Sequence, residues 1–150
     1  MKMASLLPLG LIVILSSCAT SPTGRSQMLL MPEGQMNQMG IAAFDEMKTT
    51  AKVNGVTTTN EYVVCVANAI TAALPSKDQR QWEVVVFVDE SANAFALPGG
   101  KIGVHTGMLD IAVDQNQLAA VIGHEVGHVL AQHGNERMSM ELATHGSSAG

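Results

Sequence analysis

Aromatic residues make up only 3% of the 150 residues, with three Phe, one Trp and one Tyr. The interior is therefore expected to be filled by aliphatic and thioether side chains, Met numbering 10. Cysteine is as scarce, at two residues, so an intrachain disulfide framework is excluded once either thiol has another use. Charge is thin and scattered: 8 basic and 13 acidic residues give a net charge of -5 without a long run of either sign. Nucleic acid finds nothing to grip on such a chain, and that class of partner is set aside. The apolar stretch at 6–15 is too short to cross a bilayer comfortably. What the chain does have is 47% hydrophobic residues in a length suited to one domain, which supports a packed core and argues against global disorder.

Lys2 ahead of that apolar stretch gives the pattern of a secretory signal, so residues 1–17 read as a leader that is removed. Leu15-Ser16-Ser17-Cys18 resembles the bacterial lipobox, in which the Cys thiol receives diacylglycerol and becomes the mature N-terminus. Cys18 is thus the expected lipidation site. Each buried methylene contributes about 0.8 kcal/mol, so the two or three chains of a lipoprotein hold it stably on a membrane where one would not. Residues 18–31, with Ser, Pro, Thr and Gly up to Gln27, read as a lipidated N-terminus and tether. Cys65, inside Tyr62-Val63-Val64-Cys65-Val66, is expected to be a buried small residue.

From Pro32 to Lys52, Met36, Met39, Ala43, Phe44 and Met47 recur at three- and four-residue steps and predict an amphipathic helix whose methionines pack inward. A loop at 53–59 leads to a second helix that Asn60 can cap and that ends before Pro75. The run from Trp82 to Val88 is short and β-branched, a buried strand. Two extended pieces then flank Pro98-Gly99-Gly100, the signature of a strand-turn-strand edge. A short helical connector at 106–113 precedes Asp114, which with Gln117 three residues on suits a helix N-terminus. Leu118, Val121, Ile122, Val126, Val129 and Leu130 form the apolar stripe of that helix, with Gly134 as its stop or kink. Segregated helices and strands of this kind make the class α+β.

His124-Glu125-Val126-Gly127-His128 lies inside the same helix. Four residues advance about 400° at 3.6 residues per turn, so both imidazoles project from one face where they can reach one ion. Zinc takes such ligands and, in catalytic sites, leaves a position for a water whose pKa falls to about 7. Glu125 is then placed to act as general base and later to return the proton to a leaving amine. His124 and His128 are the candidate metal ligands and Glu125 the candidate catalytic residue. His133, nine residues after His124, falls about 180° around an ideal helix and is expected to point away. His105 and His145 have no motif around them.

Thr23 to Met28, Asn93 to Met108, and His124 to Ser139 together resemble the gluzincin-type zinc metallopeptidases that include HtpX and the CAAX prenyl endopeptidases, in their periplasmic lipoprotein LoiP-like branch. The resemblance implies a gluzincin-like domain over 32–150 in which the H-E-x-x-H helix packs beside a small sheet. It implies that the edge strand at Asn93, Ala94, Phe95, Ala96 and Leu97 pairs with the substrate backbone, reading main chain more than side chains. It also implies one zinc ion per site and a third ligand, a Glu from a later helix expected beyond Gly150. On that basis the chain is expected to be a piece of a longer protein that binds zinc poorly by itself, since Glu136 lies about 12 Å past His128 along a continuous helix, too far to coordinate unless the chain folds back at Gly134. Implied substrates are misfolded or exposed proteins of a bacterial cell envelope; Ala19 follows Cys18 where an Asp would suggest retention in the inner membrane, so resemblance to enterobacterial sorting places the lipid anchor in the outer membrane facing the periplasm. The competing class is a non-catalytic envelope lipoprotein that binds unfolded chains and keeps the metal as structure; Glu125 speaks for catalysis, since a structural site has no need of it.

Overall fold

Alternation along the strands sets the architecture. Val84 and Val86, Ile102 and Val104, and Ala94 and Ala96 put one face of a sheet against helices, while the residues between them face the other way. The computed structural model describes residues 18–146, so the leader at 1–17 and the tail at 147–150 lie outside the described residues. The order is β1 (Cys18–Thr20), β2 (Ser26–Met28), α1 (Glu33–Thr50), α2 (Thr57–Ala72), a 3-10 turn (Ser76–Asp78), β3 (Glu83–Phe87), β4 (Ala94–Leu97), β5 (Lys101–His105), α3 (Thr106–Ile111), α4 (Gln115–Leu130) and α5 (His133–Gly146). This is the expected α+β class.

β3, β5 and β4 form one sheet in that spatial order. β3 runs parallel to β5, and β4 returns antiparallel to it through the Pro98-Gly99-Gly100 turn, with Phe95 opposite Gly103. β4 is therefore an outer strand. On one face α2 and α4 bury Val63, Val66, Ala67, Leu118, Ile122 and Val126 against the sheet. On the other, α1 brings Phe44 against Phe87 and Phe95, ring centroids 5.9 and 6.3 Å apart. All three phenylalanines thus meet in one cluster, and Met36 alone of the described methionines is buried. The core between the sheet and α2 and α4 is aliphatic as expected, but the face under α1 is filled by rings, and the thioethers contribute little to either.

Gly40 explains how α1 comes so close. A Cβ there would strike the carbonyl oxygen of Pro98, so only glycine lets the helix rest on the β4–β5 turn. The buried row of α1 is accordingly Met36, Gly40 and Phe44, while Met39 and Met47 are exposed, against the wider stripe read from periodicity.

Three local expectations change. The helix after the loop begins at Thr57 with no side-chain cap; Asn60 sits within its first turn, donating through Nδ2 to the carbonyl of Asn54 at 2.9 Å. Cys65 is exposed on α2, because its position in the turn faces away from Val63, Val66 and Ala67. The segment read as a tether is a β1–β2 hairpin, Ala19 opposite Gln27, packed on the end of α4 and on α5.

α4 begins as its sequence suggests. Asp114 Oδ1 accepts from the amides of Asn116 and Gln117 at 2.8 and 2.9 Å, and the Gln117 side chain reaches back to accept from the amide of Val113, one residue before the cap. None of the described helices is long and apolar enough to cross a membrane.

Candidate metal centre and peptide cleft

α4 buries Leu118, Ile122 and Val126, and this fixes which side of it stays open. His124 and His128, displaced around the helix from that row, are exposed, and Glu125 is half-buried between the two environments. The two imidazoles meet as the i, i+4 spacing requires: His124 Nε2 and His128 Nε2 are 2.9 Å apart, with rings edge to face at 4.4 Å between centroids. Two nitrogens bound tetrahedrally to zinc at about 2.0–2.1 Å would lie roughly 3.3 Å apart, so a shift of a few tenths of an ångström suits the pair to one ion. The donor set fits as two ligands of a site. Among the described residues no group of three His, Cys, Asp or Glu side chains is arranged to hold a metal.

Glu136, the nearest downstream carboxylate in sequence, is already engaged. Arg25 grips it through Nη1 and Nη2 at 2.7 and 2.6 Å, and Gln27 Nε2 donates to it at 3.3 Å. The guanidinium holds the Glu136 carboxyl below its ordinary range, and the carboxylate raises Arg25 in return.

His133 stands where sequence geometry does not put it. α4 ends at Leu130, Gln132 takes a left-handed φ of 55°, and the chain folds back so that His133 Nδ1 lies 2.6 Å from His128 Nδ1. The stop is thus at Gln132, and Gly134 lies inside the next helix. The continuous helix assumed for His133 does not exist. The signal that could have revealed this was the polar pair Gln132-His133, which interrupts the apolar stripe before Gly134 is reached.

Glu125 and His128 face a cleft of about 1010 Å³, shared with Ala96, Leu97 and Pro98 from the end of β4 and with Pro22 and Gln27 from the hairpin. Of the five residues expected to hold substrate, the structure separates two kinds. The amide of His105 donates to the Asn93 carbonyl at 2.9 Å, while the Asn93 amide donates to the carbonyl of Ser91 at 2.9 Å; the antiparallel register alternates from there, so Phe95 and Leu97 spend their main-chain groups on β5. Ala94 and Ala96 turn theirs to the open edge. Their side chains pack toward the core with α4, while Phe95 stacks on Phe87.

His105 lies apart from this centre. Its Nδ1 is 2.8 Å from Ser91 Oγ and 3.6 Å from Asp89 Oδ1. Serine and carboxylate share one ring nitrogen, so the three do not form a proton relay. The backbone of Cys18 opens the hairpin opposite Met28.

Residues 57–148 match peptidase family M48. Similar proteins include the mitochondrial metalloendopeptidase OMA1 of Arabidopsis thaliana, 48% identical over 61 residues that cover 41% of this chain and 13% of that one. The human metalloendopeptidase OMA1 is 28% identical over 124 residues, covering 79% of this chain and 24% of its own. The metalloprotease LoiP of Escherichia coli is 29% identical over 118 residues, covering 79% and 46%. The chain therefore spans less than half the length of these relatives. Both names recur at comparable similarity, so they support the family rather than the LoiP-like branch alone. With its H-E-x-x-H helix, its small sheet and a match across more than half its length, the chain belongs to peptidase family M48.

Proposed function

We propose that this chain carries the H-E-x-x-H half of a zinc-dependent metalloendopeptidase of the LoiP-like branch, lipid-anchored through Cys18 in a bacterial cell envelope and acting on misfolded or exposed envelope proteins. The observation that carries the catalytic part is the convergence of His124 Nε2 and His128 Nε2 beside Glu125, at a cleft bordered by an open strand edge. His124 and His128 would hold the metal, with a third ligand from outside the described residues. When bound, zinc would acidify a water and polarise the scissile carbonyl.

The chain's own residues supply the rest. Glu125 faces the cleft and takes a proton from the attacking water, then returns it to the departing amine, so one carboxylate serves both halves of the reaction. The main-chain groups of Ala94 and Ala96 offer a substrate strand a ladder to join, which orients the peptide along β4 without demanding a sequence. The anchor rests on Leu15-Ser16-Ser17-Cys18, and the envelope setting follows from it.

The test is Glu125→Gln in the full-length protein, which keeps the size of the side chain and both imidazoles. Cleavage of an unfolded protein such as casein should fall by at least about a hundredfold while zinc content stays near that of the wild type. Wild-type activity in this variant would remove Glu125 from the mechanism. Membrane fractionation of Cys18→Ser tests the anchor separately: the protein should leave the membrane fraction.

A further inference from the structure

His128 is approached at both ring nitrogens: Nε2 faces His124 at 2.9 Å and Nδ1 faces His133 at 2.6 Å. A neutral imidazole has one donor and one acceptor nitrogen. If Nε2 keeps its lone pair for a metal, the proton is on Nδ1, and that N–H needs an acceptor. His133 Nδ1 is in place to be it, with its own proton on Nε2.

The approach is enforced by the fold. A left-handed residue other than glycine costs of order 1 kcal/mol, so the φ of 55° at Gln132 must be held by its surroundings. The buried Gln27 does so from the hairpin, its Nε2 donating at 2.7 Å to the carbonyl of Ala131 where α4 stops. On the other side of the turn, Asn135 is buried and tied to Met31. The reversal that delivers His133 is therefore clamped on both flanks. His133 cannot itself share the ion through this contact, because Nδ1 and Nε2 of His128 lie on opposite edges of the ring.

We propose that His133 is a positioning residue for His128, accepting its Nδ1–H and so presenting Nε2 of His128 as a lone-pair donor beside Nε2 of His124. The inference rests on the metal reading above and adds the group that fixes the ligand's tautomer and ring angle, the role partners of this kind have in metal sites.

The experiment compares His133→Leu and His133→Gln in the full-length protein, with zinc affinity read by competition against a chromophoric chelator. Loss of the acceptor in His133→Leu should weaken zinc binding about 10- to 100-fold. His133→Gln, whose Oε1 can accept, should recover most of it. Metal-free melting temperatures should match the wild type in both variants. In the zinc-loaded wild type, long-range proton–nitrogen spectra should put the His128 proton on Nδ1. Wild-type affinity in His133→Leu overturns the proposal, as does an equal loss in both variants accompanied by a fall in metal-free melting, which marks a purely structural residue. A wild type that binds no zinc at all removes the metal reading itself, and the proposal with it.

Discussion

Asn135 reads the main chain of Met31 from both sides: its Nδ2 donates to the Met31 carbonyl at 2.8 Å, and its Oδ1 accepts from the Met31 amide at 3.3 Å. Ser139 adds a third bond, its hydroxyl accepting from the amide of Leu30 at 2.8 Å and donating to Asn135 Oδ1 at 3.1 Å. Asn135 and Ser139 are both buried. One side of α5 is thus dedicated to holding the segment that follows the N-terminal hairpin.

Asn135→Ala should consequently loosen the strap. Two half-buried main-chain groups of Met31 lose their partner, at the lower end of the about 1–3 kcal/mol that unsatisfied buried groups cost. Hydrogen exchange at the Met31 amide should accelerate, and the melting temperature should fall. Unchanged exchange at Met31 would mean that the apolar contacts of the strap hold it without the amide.

The sequence made the central elements readable because their signals are local. Asp114 and Gln117 mark the start of α4, Pro98-Gly99-Gly100 marks the turn, and the spacing of His124 and His128 follows from helix geometry alone. What escaped was set by tertiary partners. The hairpin around Gly24 has β-strands of only three residues, and Arg25 finds Glu136 across 111 positions; no short window contains both. His133 departs from its ideal-helix position for the same reason, since where it stands depends on a reversal at Gln132 that Gln27 supports from the far end of the chain. Met39 and Met47 repeat at helical spacing, yet the approach of Pro98 to Gly40 narrows the buried face of α1 and leaves them outside.

Acid should weaken the junction of α1 with the sheet. Glu83 on β3 accepts from Lys48 of α1 at 2.6 Å and from Lys101 of β5. The hydrogen bond from Lys101, then that from Lys48, hold its carboxyl below the ordinary 4.5. A depressed folded-state value contributes stability that is present above the unfolded value and is lost as pH falls through the folded one. The window is therefore from about 4.5 downward, and the effect is modest because Glu83 is partly open to solvent. Melting curves from about pH 7 to pH 3 should fall less steeply on the acid side for Glu83→Gln than for the wild type. Superimposable slopes would assign the acid sensitivity to other carboxylates.

The two faces of β4 can be told apart by proline, which has no amide to donate. Phe95 lies opposite Gly103 at a position whose amide bonds β5, whereas the amide of Ala96 turns to the open edge. Proline is tolerated on an edge strand where its missing N–H would face outward and is disruptive where the ladder needs it. Phe95→Pro should also lose the ring that stacks on Phe87 at 6.1 Å and meets Phe44 at 6.3 Å, so a drop in melting temperature of many degrees is expected. Ala96→Pro should melt close to the wild type. If peptide substrate joins β4 as a further strand, the same variant loses one of the bonds to it, about 0.5–1.5 kcal/mol, or a few-fold to tenfold in kcat/KM. The informative pairing is therefore a stable Ala96→Pro protein with slowed cleavage beside an unstable Phe95→Pro protein. Full kcat/KM in a folded Ala96→Pro protein would show that substrate does not use this edge, and the peptide would then have to enter along the opposite wall, between α4 and the N-terminal hairpin.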